Sequence, residues 1–406
     1  MKILYLNQYY PPDIGAPSFR AEKFIKNLNK NNHEVTVYTS YPNRYSNIEK
    51  KLKIKKIGNL VGETVNRTKS IKISDNIFGK GISFFSFFIK TLFKILFDRN
   101  KYDFVYASSP PLSIAILAAF ISKRKNIPFV CEVRDLWPES LLAIDKMKKK
   151  SNIYKLLEKF EKYVLERADL VVSVSKGFNK NIRKYYNDKI LFVPNGVEEQ
   201  DYKKRDITKQ EFLKKFNLKK KINEDDFLIT YIGNIGYAQN LSFMVKAAEE
   251  IDKNIKICIF GDGSERNKIE KLAENVNNCT VAGPFKKENI GYFYHFSDVL
   301  VVHLKDSIYF NKVIPSKIFE YLLYEKPIIY GLGDESANII KKFKGTFNIE
   351  MENKDEFIEK VDYIYKNFKN IKDKCRKNRE KVLKNYNINY LMNNLIKKLS
   401  MNYEED

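Results

Sequence analysis

The chain has 406 residues, too many for one hydrophobic core of ordinary size and enough for two domains of about 200 residues each. Hydrophobic residues make up 44% and charged residues of both signs 30%, which excludes an intrinsically disordered chain. The balance of 73 Lys+Arg against 50 Asp+Glu gives a net charge of +23, a field that draws nucleic acid, anionic lipid or phosphorylated ligands without choosing among them.

Ile3–Leu6 is a short apolar run that reads as a buried strand, broken at Asn7 and followed by a proline-rich loop from Gln8 to Pro17. That run is too short for a signal peptide, and no segment reaches the roughly 20 apolar residues that span a bilayer, so the sequence places the chain in the cytoplasm. A helix is predicted over 18–31 on the spacing of Phe19, Phe24, Ile25 and Leu28, then a strand at Val35–Thr39. Strand, loop, helix and strand make one βαβ unit. Further strands are predicted at Phe104–Ala107, Phe129–Val133, Leu170–Val174 and Ile190–Val193, with helices over 81–98, 112–125, 151–167 and 176–186 between them. Around Pro194–Val197 the alternation gives way to a polar, lysine-rich linker and a short helix near 208–216.

A second series follows. Strands are predicted at Phe227–Ile232, Ile255–Phe260, Thr280–Ala282, Val299–His303 and Pro327–Tyr330, alternating with helices over 240–251, 264–275, 286–296, 316–325 and 335–343. The expected architecture is α/β: two doubly wound Rossmann-like domains, 1–196 and 197–385, with a C-terminal helix over 386–406 packing back on the first. Two such domains facing across a cleft would bind ligands at the carboxyl ends of their sheets. Cys131, Cys258, Cys279 and Cys375 are widely spaced, form no CxxC or Cys/His cluster, and suit a reducing compartment.

The loops at those strand ends carry the chemistry. In order they are Tyr9–Pro12 with Gly15 and Arg20, Arg134-Asp135-Leu136-Trp137-Pro138-Glu139-Ser140, and Val193–Val197. Then come Gly233-Asn234-Ile235-Gly236 with Gln239, Gly261-Asp262-Gly263, and Pro315-Ser316-Lys317-Ile318-Phe319-Glu320-Tyr321-Leu322. In the last of these, Ser316 is placed to cap the following helix, whose first amides would make an anion site. Lys317 adds a positive charge there, and Glu320 lies one turn deeper on the same face. A Lys–Glu pair on a surface helix is the plainer alternative. Gly233–Gly236 between a strand and a helix lets backbone amides approach a phosphate, or is a tight turn and no more. Phe285, after Gly283-Pro284, either stacks on a base or packs in the core.

Together, in this order and covering nearly the whole chain, these segments resemble the retaining glycosyltransferases of family 4, with the GT-B fold. The subgroup most resembled builds bacterial capsule, O-antigen and colanic-acid-type polysaccharides. The resemblance implies a nucleoside-diphosphate sugar as substrate, UDP by preference and N-acetylfucosamine among the candidate sugars, with no other cofactor. It assigns Glu320 to the ribose diol and places Gly15, Arg20, Gly233, Asn234, Gln239, Gly261, Phe285, Pro315, Ser316 and Lys317 around the donor. Arg134 stands where relatives often carry a histidine; Asp135 would orient the acceptor hydroxyl or Arg134 itself, or the two form a structural pair. Arg20 is otherwise a solvated helix residue. Two departures stand out: Lys312 occupies the place of a second glutamate, and Asn234 and Gln239 occupy those of an arginine and a lysine. Retention is thought to proceed by same-face attack, with the departing phosphate helping to deprotonate the acceptor. No Asp-x-Asp motif indicates a metal, and His33, His295 and His303 do not cluster.

Residues 82–97 form the most apolar stretch and reach about 24 Å as a helix, short of a comfortable span. With five lysines in Lys50–Lys56, they read as an interfacial membrane helix beside a basic patch, or as a core helix. The first alternative makes a polyprenyl-diphosphate-linked saccharide the acceptor, met at the inner face of the cytoplasmic membrane. Rival functions are a nucleotide-sugar epimerase, which would want more cleft histidines and would act without an acceptor, a nucleic-acid-binding protein and a silent partner subunit. No nucleic-acid motif supports the second of these, and nucleic acid is not expected as a partner.

Overall fold

The structure is a computed structural model that describes residues 1–13, 15–42, 62–71, 77–144, 147–202 and 205–403. The chain divides into two compact units, Met1–Asn195 with Ile388–Asp406, and Gly196–Asn387.

The first unit is built on seven parallel strands, β1 (Lys2–Leu6), β2 (Glu34–Ser40), β3 (Thr64–Thr68), β4 (Phe104–Ser109), β5 (Phe129–Val133), β6 (Leu170–Ser173) and β7 (Ile190–Phe192). Their order is β3-β2-β1-β4-β5-β6-β7. The central strands are buried along their length, which is why their sequences are continuous apolar runs rather than alternating ones. The C-terminal helix Ile388–Tyr403 turns Ile388, Met392, Leu395, Ile396 and Leu399 into the same core as Ile3, Tyr5 and Phe24.

The second unit has six parallel strands, β8 (Phe227–Asn234), β9 (Ile255–Asp262), β10 (Cys279–Ala282), β11 (Val299–His303), β12 (Ile328–Gly331) and β13 (Thr346–Asn348), in the order β10-β9-β8-β11-β12-β13. In each sheet the order reverses once, between β1 and β4 and between β8 and β11. Crevices form at such reversals, outside the carboxyl ends of the strands.

Several expected elements differ. The helix predicted over 176–186 is a tight turn at Lys176–Phe178 followed by a single turn, Asn179–Ile182. β3, β13 and a short helix at Glu139–Ala143 were not foreseen from the sequence. The helix Ile77–Leu96 has two apolar faces. Phe87 and Ile95 are fully buried, whereas Phe85, Phe93 and Leu96, with Phe97 just beyond, are 67%, 54%, 36% and 80% exposed. It is therefore a core helix on one side, with an uncovered apolar face on the other. The basic run Lys50–Lys56 lies outside the described residues. No described helix is long and apolar enough to cross a membrane.

Candidate active site

The reversal point of the second sheet gathers most of the residues singled out in its sequence. β8 and β9 run in register through Gly233 opposite Gly261, both with strongly positive φ (142° and 146°). A Cβ on Gly261 would sit 1.8 Å from Gly233 O, and one on Gly233 would sit 2.0 Å from Lys317 Nζ. Only glycine fits either place, and the Lys317 ammonium lies directly over the Gly233 backbone. That ammonium donates to Tyr231 Oη at 2.8 Å and lies 4.3 Å from the ring centroid. Tyr231 in turn donates to Asn234 O at 2.6 Å. Burial lowers the Lys317 pKa to about 8, against the opposing pull of Glu320.

Lys317 and Glu320 share the helix Lys317–Leu323, and each turns to a tyrosine: Tyr294 Oη donates to Glu320 Oε2 at 2.6 Å. Tyr294 is wedged edge-on against Tyr321 and Tyr324, which fixes where the Glu320 carboxylate points. The capping expected of Ser316 is not made. Ser316 has helical φ and ψ and no side-chain cap bond, and the first amides close a tight turn, Ile318 N to Pro315 O and Phe319 N to Ser316 O. The positive charge here therefore belongs to Lys317 and not to an open helix end.

Across the reversal, the end of β11 is stitched to the same glycine loop. His303 Nδ1 donates to Gln239 O at 2.7 Å and its Nε2 accepts from Glu352 N at 2.9 Å. A carbonyl can only accept and an amide can only donate, so the neutral Nδ1–H tautomer is fixed. Burial pushes this imidazole down to about 4. Lys305 N bonds Ala238 O at 2.8 Å, and Lys305 Nζ donates to Tyr237 Oη at 2.6 Å, 4.1 Å from that ring's centroid. The side chains of Asn234 and Gln239 are bonded to each other at 2.9 Å. The loop is thus flanked by two ammoniums, each seated on a tyrosine. Phe285 packs against Phe293, with ring centroids 4.3 Å apart, and meets Phe216 and Phe260 edge-on, so its main commitment is to an aromatic core.

In the first unit, Gly15 begins the helix Ala16–Lys30 with φ 141°. Arg20, one turn into that helix, is neither solvated nor open to a ligand. It is 4% exposed, its Nε contacts Glu132 Oε1 at 2.8 Å, and its remaining nitrogens donate to Val193 O, Pro194 O and Asn195 Oδ1. Glu132 also accepts from Tyr106 Oη and Ser108 Oγ. Burial alone would raise the Glu132 carboxyl, but Arg20, Arg134 and Ser108 hold it below the usual carboxylate range. Past the end of β5, Arg134 donates to Ser108 Oγ at 3.4 Å. Burial raises the Asp135 carboxyl to about 7, against the pull of Arg134.

Residues 20–201 match the family model described as Glycosyltransferase Family 4, and residues 213–382 match the one described as Glycosyl transferases group 1. The chain is a GT-B glycosyltransferase. A probable glycosyltransferase WbjE of Pseudomonas aeruginosa is 23% identical to it over 257 residues, 61% of this chain; the match spans 62% of that relative's length. Among solved structures, Anabaena HepE in complex with UDP and glucose superposes with a TM-score of 0.74 at 12% identity, over 99% of this chain and all of that one. Sucrose-phosphate synthase from Thermosynechococcus elongatus gives 0.74 at 15% identity, covering 98% of each chain. A putative UDP-N-acetylglucosamine 2-epimerase from Listeria monocytogenes gives 0.63 at 12% identity, over 100% of this chain and 97% of that one.

The transferase's second unit therefore brings Gly233, Asn234, Gln239, Gly261, Lys317 and Glu320 to neighbouring strand ends, with Pro315 and Ser316 at the entry to the last helix. Tyr231, Tyr237, Tyr294 and Lys305 belong with them, and no motif named these four. Lys305 had one available signal: it lies two residues past the strand that ends at His303, on the side where ligands bind.

Proposed function

We propose that this glycosyltransferase moves a sugar from a uridine diphosphate donor to a saccharide carried on a polyprenyl diphosphate, in the building of a bacterial surface polysaccharide. It does so with retention and without a metal ion. The observation that carries the donor half is the Lys317 ammonium over the bare Gly233 backbone, with the tyrosine-held Glu320 carboxylate one turn further along. A diphosphate seated on Gly233 meets a cation that is already desolvated, where electrostatic stabilisation of a leaving group is strongest. Glu320 accepts hydrogen bonds from a ribose diol. Proteins of the same fold solved in complex with UDP and with UDP-glucose favour uridine. The resemblance to the polysaccharide subgroup favours an N-acetylhexosamine of the N-acetylfucosamine type and a lipid-borne acceptor. The uncovered Phe85–Phe97 face supports contact with the inner face of the cytoplasmic membrane.

Calorimetric titration with UDP, GDP, ADP and CMP in EDTA tests the donor half. UDP is expected to bind selectively, and Glu320→Ala to weaken it about tenfold or more. Binding of none of them by the folded protein would end the proposal. Turnover of a UDP-sugar to an epimer without acceptor would replace it.

A further inference from the structure

The first unit holds a basic site of its own. A recess of about 470 Å³ opens at the carboxyl ends of β2 and β3 and is walled by Tyr41, Arg67, Lys69, Lys90, Phe93 and Lys94. Three of its four cations, Arg67, Lys90 and Lys94, donate to backbone carbonyls. Lys90 Nζ donates to Lys69 O at 3.2 Å and Lys94 Nζ to Arg67 O at 2.6 Å. The Arg67 guanidinium is anchored on Ser40 O and Pro11 O, and the Lys69 ammonium lies over the Tyr41 ring at 5.7 Å. Four basic residues thus line one opening, and none of the described residues lining it is acidic. Burial and the neighbouring Lys90 both lower the Lys94 pKa, as expected of like charges brought close together. An anion in the recess relieves that crowding, and a phosphate offers several acceptor oxygens to donors arriving from different sides.

Phe93 decides which kind of anion. It forms part of the recess wall and also belongs to the exposed face that runs through Phe85, Leu96 and Phe97. The cationic opening therefore continues directly into an uncovered apolar strip. A free phosphate would have no use for the strip, and a neutral lipid none for the cations.

We infer that this recess binds the phosphate or diphosphate head of a long-chain lipid, whose tail lies along the Phe85–Phe97 face. The inference deepens the proposed lipid-borne acceptor by giving its phosphate a site.

The test is flotation with phosphatidylcholine vesicles, with and without polyprenyl phosphate. It uses the full chain and the variants Lys90→Gln/Lys94→Gln, Phe93→Ser/Phe97→Ser and Lys219→Gln/Lys220→Gln. Lys90 and Lys94 are exposed, so their substitution spares the core, which a thermal melt verifies. Wild type should favour the polyprenyl phosphate vesicles. The Lys90/Lys94 variant and the Phe93/Phe97 variant should each bind them about tenfold more weakly, and the Lys219/Lys220 variant should match wild type. Equal binding by the Lys90/Lys94 variant overturns the site. An equal loss in the Lys219/Lys220 variant overturns it too, by showing an effect of bulk charge. Calorimetric binding of inorganic pyrophosphate, lost in the Lys90/Lys94 variant, with vesicle binding indifferent to Phe93 and Phe97, reassigns the recess to a free anion. UDP titration of the same proteins separates the two proposals: failure of wild type to bind UDP sinks the donor reading, while the vesicle result still judges the recess.

Discussion

Lys317 has to keep a positive charge in a place that resists one. Its pKa of about 8 means that the ammonium is mostly charged at pH 7 and is lost as pH rises through 8. A bound diphosphate favours the charged form and drives the pKa back up, so nucleotide binding above pH 8 must take up a proton. The observed binding enthalpy at pH 8.5, measured across buffers of different ionisation heat, should report that uptake, and the same series at about pH 7 should report much less. Lys317→Met should weaken UDP binding at both pH values and abolish the uptake. An uptake that survives this substitution would place the titrating group elsewhere. The tyrosine under Lys317 was out of reach of sequence reasoning, because Tyr231 and Lys317 are 86 positions apart and neither belongs to a pattern that implies the other. Glycine loops and the Lys-x-x-Glu spacing are local and could be read; the partners that aim them are not.

At the level of elements, the strands were legible because parallel strands buried on both faces leave short apolar runs between polar ends, and β5 and β11 were delimited to the residue. β3, Thr-Val-Asn-Arg-Thr, escaped because it is an edge strand with little apolar content. Arg20 was misplaced for a related reason: helical spacing cannot tell a solvated arginine from one whose carboxylate arrives from a strand 112 positions away. In the fold Arg20 ties the first helix to Glu132 on β5 and to the carbonyls that follow β7. Removing one member of a buried pair leaves the other charged and unsatisfied, which costs about 3–5 kcal/mol. Arg20→Met should therefore lower the melting transition of the first unit sharply, with a smaller loss at acid pH where Glu132 can take a proton. UDP affinity should stay within about twofold of wild type. A residue that gripped the donor would give the reverse, a stable protein with weak UDP binding.

The whole chain crosses between its two units twice, after Asn195 and after Asn387. The second unit is closed on itself: Val197 N donates to Tyr386 O at 3.0 Å, and Val197 bridges to Asn387, so its two ends are held side by side. The first unit is not complete before the chain returns. Ile388, Met392, Leu395, Ile396 and Leu399 bury themselves among its core residues, Tyr403 meets Phe104 with ring centroids 5.0 Å apart, and Asn389 accepts from Asn27 at 2.9 Å. Five such side chains contribute on the order of 10 kcal/mol, comparable with the whole stability of an ordinary domain. A fragment of residues 196–387 should thus melt cooperatively and bind UDP with close to full-length affinity. Residues 1–195 alone should not fold, and a peptide of residues 388–403 added in trans should restore their circular dichroism and a cooperative melt. A cooperative melt of 1–195 without the peptide would show that the returning helix is an accessory to that core. UDP binding lost from 196–387 despite a folded fragment would mean that the donor site needs residues of the first unit.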